Sequence, residues 1–349
     1  MSRKLLSYTA LGLILGNAAI ADVPKVAVDI APVHSLVSRV MEGVGSPKLI
    51  IPAGASPHEY SLRPSEAKSL QDADMVIWMG EDLAPWMENS IEKLAKNAEV
   101  ITLLEASETK LLDFREGALF EEHDHGDHDD HDDHDDHDKD HDDHDDHDDH
   151  DDHDDHDHDK DHDDHDDHDD HDDHAGHDHG EHDPHAWLSI ENAQTWLNLV
   201  AGKLSAADPE NAGVYFGNAA AARSEIEELS KEVNSILDPV RGRSFVVFHD
   251  AYQYFETSFD FPASGAISLG DATDPSASRI AEIQGRVREE GINCVLSEPQ
   301  YNPNLVETVL EGTDAKTGVI DPLGVNLEPG SKLYGDLIRN MAKSLAGCL

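Results

Sequence analysis

Three histidines stand in short segments where polar and apolar residues meet. His58 lies in Ala-Ser-Pro-His-Glu-Tyr, His185 in Asp-Pro-His-Ala-Trp-Leu and His249 in Phe-Val-Val-Phe-His-Asp. Neutral imidazole binds borderline cations such as Zn²⁺, and three imidazoles on one ion leave a fourth place for a carboxylate or a water. Asp321, directly after Thr317-Gly318-Val319-Ile320, is placed to supply that carboxylate, and Glu59, beside His58, is its rival. Asp321 also precedes Pro322, so a turn or capping role competes with ligation. One loop histidine alone is more often a surface or hydrogen-bonded residue than a ligand. The joint case is stronger, because all three stand where β-rich segments give way to helical ones. His34, in Pro-Val-His-Ser-Leu-Val at the start of a helical pattern, reads as structural.

The segments around these residues alternate in period. Lys25 to Ile30, Lys48 to Ile51, Asp74 to Met79 and Val100 to Leu104 read as strands, with helical spacing between them. The alternation restarts with strands at Ser244 to Phe248, Ala266 to Leu269, Asn293 to Leu296 and Thr317 to Ile320. Such βαβα order implies a parallel sheet covered by helices on both faces. Between the two runs, Pro209 to Leu237 is rich in good helix formers and would span about 42 Å as one helix. The fold class predicted is α/β: two parallel-sheet βα lobes joined by one long rigid helix. The boundaries are 1–21 for a targeting segment, 22–207 for the first lobe, 208–238 for the linking helix and 239–349 for the second lobe. In open α/β sheets ligands bind beyond the carboxyl ends of the strands. His58 and His185 belong to the first lobe and His249 to the second, so a shared site lies in the cleft between them.

The remaining histidines are concentrated in one tract. Of 25 in the chain, 21 fall between Glu121 and Asp183, together with 36 acidic residues and 2 lysines. That window carries −34 of the formal net charge of −50, leaving −16 on the other 286 residues. The body is therefore an ordinary, mildly acidic globular protein, long enough for two domains with cores of their own. Its charge excludes nucleic acid as a partner. The dominant unit of the tract, His-Asp-Asp, has a period of three, which suits neither a helical face nor a strand. It has no aromatic or β-branched residue to bury, so residues 121–183 are expected to form a disordered loop within the first lobe. Repeated imidazole beside carboxylate makes it a chelator of many ions, each held weakly, where aspartate alone would serve solubility. Aspartates stabilise imidazolium in such a repeat, so protons compete with metal as pH falls toward about 6.

Arg3 and Lys4, the apolar run Leu5 to Gly16 and the small-x-small Ala19-Ile20-Ala21 read as an export signal cleaved before Asp22. An uncleaved anchor is the alternative, although the run is short for a membrane span. No later stretch approaches about 18 apolar residues, so the mature chain is expected to be soluble. Cys294 and Cys348 would then meet an oxidising compartment, where an even count suggests a pair. A bridge closing that loop would contribute about 4 kcal/mol in the chain-entropy model; two separate thiols are the alternative.

The segments Gly54-Ala55-Ser56-Pro57-His58-Glu59-Tyr60-Ser61-Leu62-Arg63-Pro64, His185-Ala186-Trp187-Leu188, Phe248-His249-Asp250-Ala251-Tyr252 and Asp321-Pro322-Leu323-Gly324 carry a resemblance. They are similar to the signature segments of the metal-binding solute-binding proteins of bacterial ABC importers, and the likeness covers essentially the whole mature chain. It is closest to the zinc-specific branch, which typically has an acidic histidine-rich insertion at this place. The resemblance implies two α/β lobes joined by one rigid helix, with Zn²⁺ in the cleft as transported ligand and His58, His185 and His249 as its ligands. It leaves the fourth place to Asp321, to a glutamate beside the first histidine, or to water. Glu298, in Ser-Glu-Pro-Gln, is a familiar family position with an indirect role. Pairing of Cys294 with Cys348 also resembles that branch. A monomer in the periplasm that passes zinc to a membrane permease, and is not an enzyme, is the reading this implies.

Two other readings are carried beside it. A manganese or iron importer component is one, disfavoured by the histidine-rich insertion because a hard cation prefers more oxygen ligands. A zinc hydrolase is the other, and no HExxH is present around His58.

Overall fold

The computed structural model describes residues 23–115, 120, 182–268, 275–301 and 303–349. Residues 1–21, expected to be a targeting segment, and nearly all of the His-Asp tract lie outside these residues.

β1 (Val26–Val28) and β3 (Met75–Trp78) are buried at every position, as strands covered on both faces must be. With β2 (Lys48–Leu49) and β4 (Glu99–Thr102) they form an all-parallel sheet in the order β2-β1-β3-β4. The connections run through α1 (Ala31–Val40), α2 (Pro64–Gln71) and α3 (Pro85–Leu94). The second lobe repeats the pattern. β5 (Phe245–His249), β6 (Gly265–Ser268), β7 (Cys294–Ser297) and β8 (Lys316–Val319) pair in parallel in the order β6-β5-β7-β8. They are linked by α6 (Gln253–Phe259), α7 (Ala277–Glu289) and α8 (Pro303–Leu310). In both sheets the first and third strands are neighbours, because the chain changes sides after the second strand. The switch points, where α/β sheets open for ligands, therefore lie at the carboxyl ends of β1 and β3 and of β5 and β7.

Between the sheets run α4 (Ile190–Ala207) and α5 (Ala212–Leu237), joined by a 3-10 turn at Pro209–Asn211. Ser189 caps α4 by accepting from Asn192 N, and Asp208 holds the turn by accepting from Asn211 Nδ2 and Tyr215 Oη. α5 has 26 residues, and its buried positions Tyr215, Ala219, Ala222, Ile226, Leu229 and Val233 recur at helical spacing. That stripe packs on α4, α1 and the final helix α9 (Leu333–Cys348), so the long helix is embedded in a helical layer. One hydrophobic core consequently runs through both sheets and these helices, with a smaller cluster beneath α7 and α8. Composition predicted a core for each lobe; the shared helices merge them.

Cys294 of β7 and Cys348 at the end of α9 form a disulfide with Cα atoms 5.8 Å apart. Gly318 in β8 leaves room for it, since a Cβ there would stand 3.2 Å from Cβ of Cys348 and 3.1 Å from Leu296. Among the described residues no helix is long and apolar enough to cross a membrane.

Candidate metal centre

His249 is the last residue of β5 and Glu298 directly follows β7, so strand adjacency at the switch point brings together residues 49 positions apart. Glu298 Oε1 lies 2.5 Å from His249 Nδ1, with both side chains buried. A carboxylate can only accept, so Nδ1 carries the proton and Nε2 is the ring nitrogen that carries the lone pair. Burial, and then the Glu298 carboxylate, hold the nearby Tyr252 hydroxyl well above its ordinary value.

His185 is fixed by the same device from its own segment. Asp183 Oδ1 accepts from the His185 backbone N at 2.9 Å and lies 2.7 Å from its Nδ1. The imidazole packs against Trp187, centroids 5.2 Å apart, and Trp187 Nε1 donates to the Pro322 carbonyl. His58 is brought in by the loop after β2. That loop turns at Gly54, whose φ of +87° is one that glycine adopts freely, and Trp86 Nε1 of α3 donates to the Pro57 carbonyl. His58 is half-buried, while His185 and His249 are buried.

All three rings line one cavity, and His185 neighbours both of the others. The His58 and His185 centroids are 5.6 Å apart, and those of His185 and His249 are 5.3 Å apart. With Zn–N bonds of about 2.0–2.1 Å and tetrahedral angles, two imidazoles on one zinc have centroids about 5 Å apart. Among the described residues no three or more His, Cys, Asp or Glu side chains stand so as to hold a metal ion as they are, so the fit rests on the spacing of the ring pairs. Between the rings, Glu298, Gln300 and Tyr301 lies a cavity of ≈ 20 Å³. That holds about one ion or water, where an organic substrate needs about 300 Å³ or more. A larger groove of ≈ 440 Å³ between α1, α5 and α9 has no imidazole in its lining.

Asp321 is not in the lining of the ion-sized cavity, although Pro322 and Leu323 are. Its Oδ1 accepts from Leu323 N and Gly324 N, and its Oδ2 from Val325 N at 2.7 Å. Both oxygens thus face the turn that the residue itself opens. Glu59 is exposed. His34 is absent from the cavity lining, and its Nε2 lies 3.3 Å from the Pro47 carbonyl. Sequence reasoning counted Asp183 only within the acidic tract, although the Asp-x-His spacing at 183–185 is a local clue to its role. Gln300, whose buried amide oxygen and nitrogen have no hydrogen-bond partner, was not singled out.

Two parallel α/β lobes with a histidine-lined cleft of ionic size define a binding protein for a metal cation. Residues 26–348 match the family described as ZnuA, zinc-uptake complex component A, periplasmic, and the chain belongs to that family. It is 44% identical over 334 residues to the high-affinity zinc uptake system protein ZnuA of Brucella abortus, covering 96% of this chain and 94% of that one. It is 45% identical to the protein of the same description in Paracoccus denitrificans, covering 98% of each. A solved structure described as a crystal structure of ZnuA shares the fold, with a TM-score of 0.67 at 18% identity over 94% of this chain and 99% of that one.

Proposed function

We propose that this chain captures Zn²⁺ in the periplasm and delivers it to the membrane permease of an ABC-type zinc importer, acting as a monomer and without catalysis. The observation that carries the reading is the set of three imidazoles around an ion-sized cavity, two of them backed by buried carboxylates. His58, His185 and His249 are the zinc ligands, and Nε2 of the latter two faces the ion. The fourth place is left to a water, because Asp321 is absent from the cavity lining and accepts three backbone N–H bonds in its own turn, and Glu59 is exposed. The size of the cavity supports a binding role over hydrolysis. Residues 1–21 serve as a cleaved export signal. The lobes comprise 22–207 and 239–349 about the helix at 208–238, and the tract at 121–183 gathers further zinc weakly.

Zinc titration against a chelator of known affinity tests this. The parent is expected to show one tight site and several weak ones. Alanine at His58, His185 or His249 is expected to remove the tight site alone, and deletion of Glu122–Asp178 the weak ones alone. A tight site that survives all three alanine substitutions would overturn the assignment.

A further inference from the structure

The two ends of the His-Asp insertion are not loosely attached. Leu112 accepts from Asp183 N at 2.8 Å, and Asp113 Oδ1 meets His182 Nδ1 at 2.9 Å, which closes a short stem. Both strands of the stem are then bound to the corner that follows His249. The Tyr254 hydroxyl accepts from Leu112 N at 3.0 Å and donates to the Asp183 carbonyl at 2.8 Å. The Gln253 amide nitrogen, in the orientation that satisfies its neighbours, reaches Asp183 Oδ2 and the Asp113 carbonyl. Arg115 completes the set. Its Nε donates to both oxygens of Asp250, its Nη2 to Asp250 Oδ1, and its two Nη groups to Glu256 at 2.8 and 3.1 Å. The Phe120 ring covers the guanidinium at 3.4 Å.

Burying one guanidinium with two carboxylates adds little net stability, because desolvation offsets the attraction. What a forked guanidinium provides is direction and register. Here the register ties Asp250, next to His249, to the same stem as Asp183, which holds His185 by its Nδ1. We propose that the root of the insertion is a clamp across the lobes that sets the separation of His185 and His249, with Arg115 as its positioning residue, so that it governs how long the cleft retains zinc. This inference rests on the reading of the cleft as the zinc site.

The test follows release of Zn²⁺ from the full chain into excess chelator, with Co²⁺ absorption as a reading of ligand geometry. Arg115→Leu is expected to speed the slow phase of release ten-fold or more and to shift the Co²⁺ bands. Arg115→Lys, which keeps the charge and loses the fork, is expected to speed it several-fold. Deleting Glu122–Asp178 leaves the stem intact and is expected to change the slow phase less than two-fold. Parent release rates and Co²⁺ bands in both Arg115 variants would overturn the clamp, as would a deletion that accelerates release as much as Arg115→Leu. Should the leucine variant fail to fold, the lysine variant carries the same comparison. His58→Ala separates the two ideas: a slow phase that survives it defeats the zinc-cleft reading, whereas its loss beside unaffected Arg115 variants defeats the clamp alone.

Discussion

Glu298 Oε1 stands 2.5 Å from Nδ1 of His249, and both side chains are buried at the end of neighbouring strands. The pair orients the imidazole and raises its basicity, an arrangement whose loss typically costs 10–100-fold in metal affinity. Glu298→Gln keeps an acceptor and loses the charge, so its zinc affinity is expected to fall about ten-fold, and that of Glu298→Ala nearer a hundred-fold. Competition with a chelator measures both. Unchanged affinity in the alanine variant would remove Glu298 from the site.

Asp321 is the carboxylate at which a structural and a ligating role can be told apart. It accepts three backbone N–H bonds within its own turn, and Gly324 closes that turn at φ +74°. Asp321→Asn gives up at least one of these acceptors, so unfolding in urea is expected to show a loss of about 1–3 kcal/mol. Zinc affinity is expected to stay within about three-fold, since a ligand loss would exceed the 10–100-fold typical of outer contacts. A hundred-fold drop would instead make Asp321 the fourth ligand.

The disulfide closes a long loop, with Cys294 and Cys348 separated by 54 positions. Cys348→Ser is expected to lower unfolding free energy by about 2–4 kcal/mol, with zinc affinity retained because Cys294 opens β7, at the end of the strand away from Glu298. Urea titrations with and without reductant check this, since reductant should bring the parent down to the variant and leave the variant unmoved.

His34 makes stability depend on pH from outside the cleft. Burial, with Lys48 nearby, holds its imidazole below the ordinary 6.5. The unfolded chain takes up a proton near that value and the folded chain does so only at lower pH. The contribution is therefore complete above about pH 6.5 and is lost as pH falls through the interval below it. The zinc-free parent is expected to unfold at lower urea at pH 5.5 than at pH 7.5. His34→Gln, which can still donate to the Pro47 carbonyl, should show a smaller difference between the two.

Much of this molecule is legible in one dimension because its rules are local. Buried parallel strands such as Met75–Trp78 are short apolar runs, and the amphipathic spacing of α5 announces a helix. The elements fall within a residue or two of where period and composition put them, the strands being shorter because Ile50 and Ile51 extend the ladder past β2 as single bonds. The merging of two expected cores was not legible. Helical spacing says which face of α5 is buried, not that α4, α1 and α9 all meet it.

The amino-acid sequence by itself determined the two βα runs, the His-Asp tract, the pair of cysteines and the three histidines apart from that tract, since each is a matter of residue type and spacing. Tertiary structure alone decided what each carboxylate does. Strand order put Glu298 behind His249, and the stem of the insertion brought Arg115 to Asp250 across 135 positions. Asp321, which spacing made a ligand candidate, has three backbone donors within four residues. A carboxylate binds whichever donors the folded chain sets within about 3 Å, and spacing along the chain does not fix that distance.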